Sequence, residues 1–227
     1  MSNVCIIPAR GGSKRIPRKN IKNFLGKPII VYSIQAALDS ELFDEVMVST
    51  EDLEIADIAR KCGAKVPFMR SQKNSDDFAT TFEVIEEVIQ SYESLGKKFK
   101  YICCLYSCAP LVKPELLVKA YNYLIEKKYS VVFPIIQYSF PIQRALSIDQ
   151  GKVSMVFEGD LNIRTQDLEK SYHDTGQFYW CDTVELLKRK KILSSNTGGI
   201  IIPELDAQDI DNDTDWKLAE LKYQLSK

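Results

Sequence analysis

Five cations fall within ten residues near the start of this chain: Arg10, Lys14, Arg15, Arg18 and Lys19. They surround Gly11 and Gly12 and follow directly on the apolar run Val4-Cys5-Ile6-Ile7. Guanidinium and ammonium groups hold anions, and glycine lacks the Cβ that would keep a phosphate away from backbone N–H groups. A polyphosphate is the ligand this chemistry suits, with a solvated basic loop as the alternative. Two familiar phosphate loops are excluded, because neither G-x-x-x-x-G-K-[ST] nor G-x-G-x-x-G follows the first apolar run.

A second constellation lies near the other end. Asp209-Ile210-Asp211 puts two carboxylates on one side of an extended segment, because side chains there alternate with period two. Hard oxygen ligands of this kind suit Mg²⁺. An EF-hand loop is excluded, since no Gly and Glu stand at its sixth and twelfth positions. The competing reading is a helix start, with Thr214 or Asp213 as cap and Asp215 in the first turn. The only histidine, His173, has no serine or cysteine nucleophile context, so it is assigned to substrate contact or loop packing and not to general-base work.

The elements that must position these residues are read from hydrophobic period. Short apolar runs at 3–7, 45–49, 101–106, 130–136, 176–181 and 199–202 predict strands. Segments of helical period near 28–38, 52–62, 80–94, 114–127, 183–191 and 214–225 predict helices between them. This alternation predicts an α/β fold in three layers, a mainly parallel sheet covered by helices, with ligands gathered at the carboxyl ends of the strands. Arg10 to Asn20, Tyr106 to Leu111 and Asp209 to Asp211 all fall at such ends. Between 138 and 172 the rhythm breaks into a hairpin-like insert with a turn at Asp149-Gln150-Gly151.

Bulk composition narrows the function classes. A chain of 227 residues, 45% hydrophobic, suits one domain with a small insert lobe. The 30 basic and 31 acidic residues nearly cancel, which offers no global pull toward nucleic acid or membrane. The six cysteines lack C-x-x-C pairs and zinc spacing and read as reduced thiols. No leader pattern and no spanning apolar stretch of about 18 residues is found, so a cytoplasmic protein is expected.

The stretch Ile7-Pro8-Ala9-Arg10-Gly11-Gly12-Ser13-Lys14-Arg15-Ile16-Pro17-Arg18-Lys19-Asn20 resembles the signature of the cytidylyltransferases that activate acidic nine-carbon and eight-carbon sugars. The likeness runs from Val4 to about Glu220, and the segments 138–146 and 172–180 are most similar to the pseudaminate branch of that acylneuraminate family. It implies a Rossmann-like nucleotidyltransferase fold and the reaction of CTP with pseudaminic acid to give CMP-pseudaminic acid and pyrophosphate. By the same likeness Arg10, Gly11, Ser13 and Lys14 would line the triphosphate, Lys19 and Asn20 would reach the α-phosphate or ribose, and Arg70, Thr80 and Thr81 would face cytidine. Arg10, Lys14, Lys19 and Asp211 would carry the catalysis, with Asp209 and Asp211 as the Mg²⁺ ligands. The sugar would meet Arg144, Arg164, Gln166, His173, Gln177 and Tyr179, the two arginines as partners for its carboxylate. The insert 138–172 would cover the sugar and make a homodimer. Tyr106 departs from the family, whose relatives carry Gln there.

Three other readings compete. The same reaction could act on N-acetylneuraminate, legionaminate or 3-deoxy-manno-octulosonate. A non-catalytic nucleotide sensor could use the same fold. A glycosyltransferase would want its metal acids in mid-chain, where none is obvious.

Overall fold

The computed structural model describes residues 2–157, 159 and 163–226, so four residues of the expected insert, Glu158 and Asp160 to Asn162, lie outside the described residues. In chain order the strands are β1 (Asn3–Pro8), β2 (Asn23–Phe24), β3 (Lys27–Pro28), β4 (Glu45–Ser49), β5 (Tyr101–Leu105) and β6 (Val131–Gln137). They continue with β7 (Leu146–Asp149), β8 (Lys152–Met155), β9 (Tyr172–Asp174), β10 (Phe178–Asp182) and β11 (Thr197–Ile201). The helices are α1 (Ile30–Asp39), α2 (Leu53–Lys61), α3 (Thr81–Ser94), α4 (Pro114–Lys127), α5 (Thr183–Arg189) and α6 (Asp213–Leu225).

The main sheet has the order β11-β6-β10-β5-β1-β4, with β9 paired to β6. Strands β1, β4 and β5 are buried on both faces, which is why they read as continuous apolar runs. Alternate residues feed two cores. Cys5, Ile7, Val46, Val48, Cys103 and Leu105 pack with residues of α1, α2 and α4 on one face. Val4, Ile6, Met47, Ile102 and Cys104 pack with α3 and Leu186 of α5 on the other. The result is the expected three-layer α/β fold with a mostly parallel sheet.

The exceptions to parallel pairing follow from the connections. β10 runs antiparallel to both β5 and β6, and β9 runs antiparallel to β6. Among the described residues no crossover α-helix lies between β6 and β9, and the chain comes back in the opposite direction. β9 and β10 follow the same strand in succession, interrupted at Thr175-Gly176-Gln177. The insert hairpin β7-β8 turns at Gln150 and Gly151 with φ of 45° and 82°, the two positive values that a tight two-residue hairpin turn requires.

Helix starts are set by side chains. Asp52 caps α2, Thr80 and Glu83 cap α3 reciprocally, and Asn212 caps α6 together with Asp215. Asn212, not Thr214 or Asp213, is therefore the cap of the last helix. Among the described residues no helix is long and apolar enough to cross a membrane.

Candidate active site

A cleft of about 710 Å³ opens at the carboxyl ends of β1 and β5 and beside the break between β9 and β10. Its wall includes Arg10, Ser13, Lys14, Arg15, Lys19 and Asn20 from the first loop. Arg70, Thr81, Tyr106, Ser107 and Cys108 come from the middle of the chain, and Asp174, Tyr179, Asp209 and Asp211 from its second half.

The two ends of the chain meet because an apolar cluster ties them. Ile16 and Ile210 are both buried in it, with Phe24, Tyr32 and Trp216. Burying each isoleucine contributes about 1.5–3 kcal/mol, enough to fix the loop carrying it. Their neighbours are then brought to the cleft wall. Arg15 Nη1 stands 2.8 Å from Asp211 Oδ2, and Lys19 Nζ donates to the Ile210 carbonyl at 2.7 Å. Asn20 clasps the loop from within. Its buried amide donates to the Arg10 carbonyl at 2.7 Å and accepts from Ser107 Oγ at 2.8 Å and Cys108 Sγ at 3.2 Å.

The cations are spread along one wall. Arg10 Nη1 donates to Asp77 Oδ1 at 2.6 Å and to the Asp76 carbonyl at 2.9 Å, and Lys14 pairs with the other oxygen of Asp77. Arg70 is almost wholly buried and donates to Ser49 Oγ at 3.0 Å and to the Ser49 carbonyl. Burial lowers its pKa, opposed by Glu51 and Glu87.

The facing wall is acidic and aromatic. Burial raises the Asp209 carboxyl above its usual value, and the nearby Asp211 charge adds to the rise against the opposing charge of Lys19. Gly176 stands beside Asp209 with φ of 63°, a backbone conformation that favours glycine. Asp174 accepts from the Gly176 N–H at 2.8 Å and from the Tyr179 hydroxyl. The buried Tyr106 hydroxyl bonds Thr81 Oγ1 at 3.0 Å, and burial pushes its phenol up to about 12.

For a divalent cation, Asp209 and Asp211 offer hard oxygens beside the basic wall. Among the described residues no group of three or more carboxylate, thiol or imidazole side chains converges. The donor set therefore fits an ion with few protein ligands, completed by water and phosphate oxygens, which is the habit of Mg²⁺.

Comparison with known proteins adds the decisive observation: residues 4–192 match the family model described as cytidylyltransferase. The chain belongs to the cytidylyltransferase family. A Campylobacter jejuni protein named pseudaminic acid cytidylyltransferase is 41% identical over 227 residues, covering 100% of this chain and 98% of that protein. A Legionella pneumophila CMP-N,N'-diacetyllegionaminic acid synthase is 31% identical, again over 100% of this chain and 98% of the relative. A solved CMP:2-keto-3-deoxy-manno-octonic acid synthetase complexed with CTP superposes with a TM-score of 0.71 at 16% identity, covering 100% of this chain and 99% of that one. That likeness establishes the fold.

Against this cytidylyltransferase fold, several expected site residues sit elsewhere. Gly11 is not on the cleft wall: its N–H donates to Glu51 Oε1 at 2.7 Å, and a Cβ there would meet Asp52 Oδ2 at 2.5 Å. The close approach of Asp52 is by itself a reason for glycine at this position. Thr80 is spent on the α3 cap, while its neighbour Thr81 reaches the cleft. Arg18 turns to Asp52 and Glu54.

Of the expected sugar contacts, only Tyr179 lines the cleft. Gln177 is buried and donates to the Asp206 carbonyl at 2.7 Å, a strut between the β9-β10 break and the acidic segment. His173 contacts the Asp174 carbonyl through Nδ1 at 2.8 Å and packs on Tyr138. Arg144 donates to the Ile163 carbonyl at 2.7 Å, Arg164 pairs with Asp167 at 2.7 Å, and Gln166 lies in the same exposed turn of the insert. Sequence reasoning missed Asp77 and Asp174. Asp77 lies in a polar loop and Asp174 at the end of the short strand β9, and no spacing rule marks either.

Proposed function

We propose that this cytidylyltransferase activates pseudaminic acid: CTP and the free sugar acid give CMP-pseudaminic acid and pyrophosphate. The observation that carries the reading is the meeting of the basic loop and the twin acids in one cleft, through Lys19 to Ile210 at 2.7 Å and Arg15 to Asp211 at 2.8 Å. The full-length likeness to the C. jejuni protein supports pseudaminate as the acid.

In this reading Arg10, Ser13 and Lys14 hold the phosphates that leave, and Lys19 stands at the α-phosphate. The sugar's anomeric oxygen forms a bond to the α-phosphorus, the bond to the bridging oxygen of pyrophosphate breaks, and the hydroxyl proton passes to solvent. Charge grows on the departing oxygens, and fixed cations in the cleft stabilise it. Mg²⁺, when held by Asp209 and Asp211, would supply further neutralisation of the phosphates. The ring of His173 lies off the cleft wall, which agrees with a reaction that uses no imidazole base.

The insert supports a homodimer. Phe140, Leu146, Ile148, Val153 and Phe157 are all exposed on it, an apolar surface of the kind that marks an interface. Pairing there would give Arg144, Arg164 and Gln166 a place over a sugar. Six unpaired cysteines and the use of CTP suit the cytoplasm.

A product assay across pseudaminate, N-acetylneuraminate, legionaminate and 3-deoxy-manno-octulosonate tests the reading. Greater kcat/KM for pseudaminate is expected, and faster turnover of any other acid overturns the assignment of substrate. Absence of pyrophosphate release with every acid would favour the nucleotide sensor.

A further inference from the structure

The carboxylate of Asp77, which binds two cations of the cleft wall, has no role in the reaction described above. Asp77 binds Arg10 Nη1 through Oδ1 at 2.6 Å and Lys14 Nζ through Oδ2, reaching both from a loop 67 and 63 residues further along the chain. We propose that Asp77 is a positioning residue of the phosphate cradle, which holds Arg10 and Lys14 in place for the nucleotide and acts through them without touching it. This rests on the cytidylyltransferase reading.

Three observations carry it. First, Asp77 is itself held. Asp76 Oδ1 accepts from the N–H groups of Phe78 at 2.9 Å and Ala79 at 2.8 Å, and Thr80 next in line caps α3. The clamp therefore hangs on a helix start and not on a free loop. Second, the cations keep capacity for a ligand. Arg10 commits Nη1 to this loop, leaving the rest of its fork, and Lys14 gives Asp77 one of three donors. Third, Lys14 is 78% exposed and has no other ion pair among the described residues, so without Asp77 it would sample its many rotamers. Ordering it before CTP arrives removes that entropy cost from binding. The opposing effect, repulsion between Asp77 and phosphate, is weakened by solvent, because Asp77 is 36% exposed.

The rival role for the same contact is a latch that occupies the phosphate site and must be displaced. The two roles predict opposite signs. Initial rates with CTP and pseudaminic acid should be measured for Asp77→Asn, Asp77→Glu, Lys14→Ala and the Asp77→Asn/Lys14→Ala double variant, with melting temperatures for each.

A positioning role expects Asp77→Asn to raise KM for CTP about tenfold with KM for the sugar and the melting temperature nearly unchanged, and Asp77→Glu to recover part of the loss. The double variant should lose less than the product of the single losses, because both act through one contact. Tighter CTP binding by Asp77→Asn establishes a latch and overturns the proposal. An unchanged KM for CTP, or fully multiplicative losses, reduces the contact to a surface ion pair and overturns it equally. Failure of the wild type to turn over CTP with any acid would instead strike the functional reading, and is seen in a separate measurement.

Discussion

Lys19 Nζ donates a hydrogen bond of 2.7 Å to the carbonyl of Ile210, the residue between the two acids, and so joins positions 191 residues apart. This ammonium group, with the Ile16–Ile210 cluster and the Arg15–Asp211 pair, holds the basic loop beside Asp209 and Asp211. It has donors left for a phosphate oxygen, so in the proposed reaction it would be both a structural tie and a charge at the reacting centre.

Lys19→Met keeps most of the unbranched side chain and removes charge and donors. Loss of one such stabilising group lowers kcat by about 10²–10³-fold. Pyrophosphate release with saturating CTP and pseudaminic acid measures this, and a kcat within a few-fold of wild type would remove Lys19 from the reacting centre.

The strands and helices can be read from sequence because their burial is regular. Val4 to Ile7 and Tyr101 to Leu105 are apolar throughout since both faces of the sheet are covered. The convergence of Arg10 to Asn20 with Asp209 to Asp211 is legible only as a rule about strand ends. The contact that enforces it, Ile16 and Ile210 in one cluster, is a pairing of two ordinary isoleucines that no local pattern announces. The direction of β10 is hidden for a related reason: it depends on the missing crossover helix, not on the residues of the strand. The contacts of Gln177 and Thr80 are not legible in the sequence because a polar side chain at a motif position serves a buried strut or a helix cap as readily as a ligand.

Gly11→Ala tests the correction at the first loop. The new Cβ would lie 2.5 Å from Asp52 Oδ2, so either the loop or the cap of α2 must shift. A destabilisation of about 1–3 kcal/mol is expected from such overpacking, read as a lower urea midpoint. Gly12→Ala meets nothing within 4 Å and should leave the midpoint near wild type. Equal stability of the two variants would contradict the role given to Asp52.

Asp211→Ala separates folding from activity. Its partner Arg15 is 70% exposed, and exposed pairs contribute about 0–1 kcal/mol, so the melting temperature should barely move. Turnover should fall below detection at ordinary Mg²⁺ concentrations. Chelation of the wild type with EDTA should abolish pyrophosphate release, and added Mg²⁺ should restore it. Near-wild-type activity of Asp211→Ala would exclude it as a metal ligand.

Acid stability should depend on Glu45. Burial alone would raise its carboxyl, but hydrogen bonds from Lys65 at 2.9 Å and from Lys97 outweigh it and hold the carboxyl below the usual glutamate range. The folded state therefore keeps this group ionised at pH values where the unfolded chain binds a proton. Its contribution is complete above the ordinary glutamate pKa of about 4.3 and fades as pH falls through the lower folded value. Urea midpoints measured from pH 7 downward should decline more steeply below that point for wild type than for Glu45→Gln. Parallel curves would show that the two lysines contribute nothing to the linkage.

The insert hairpin carries the last expectation. Leu146 pairs with Met155 and Ile148 with Val153 across β7 and β8, and three of these four side chains are more than half exposed. A hairpin of two short strands is marginal alone, so a second copy of the chain covering its apolar face would explain why it stays folded. Ile148→Lys with Val153→Glu places opposite charges across the pair, which preserves the hairpin while making its face polar. Sedimentation is expected to report a dimer for wild type and a monomer for this variant. If Arg144 and Arg164 meet the sugar across that interface, KM for pseudaminic acid should rise at least about tenfold with CTP binding retained. A variant that remains dimeric, or a monomer with unchanged KM for the sugar, would detach the insert from the substrate site and leave its arginines to their observed contacts with Ile163 and Asp167.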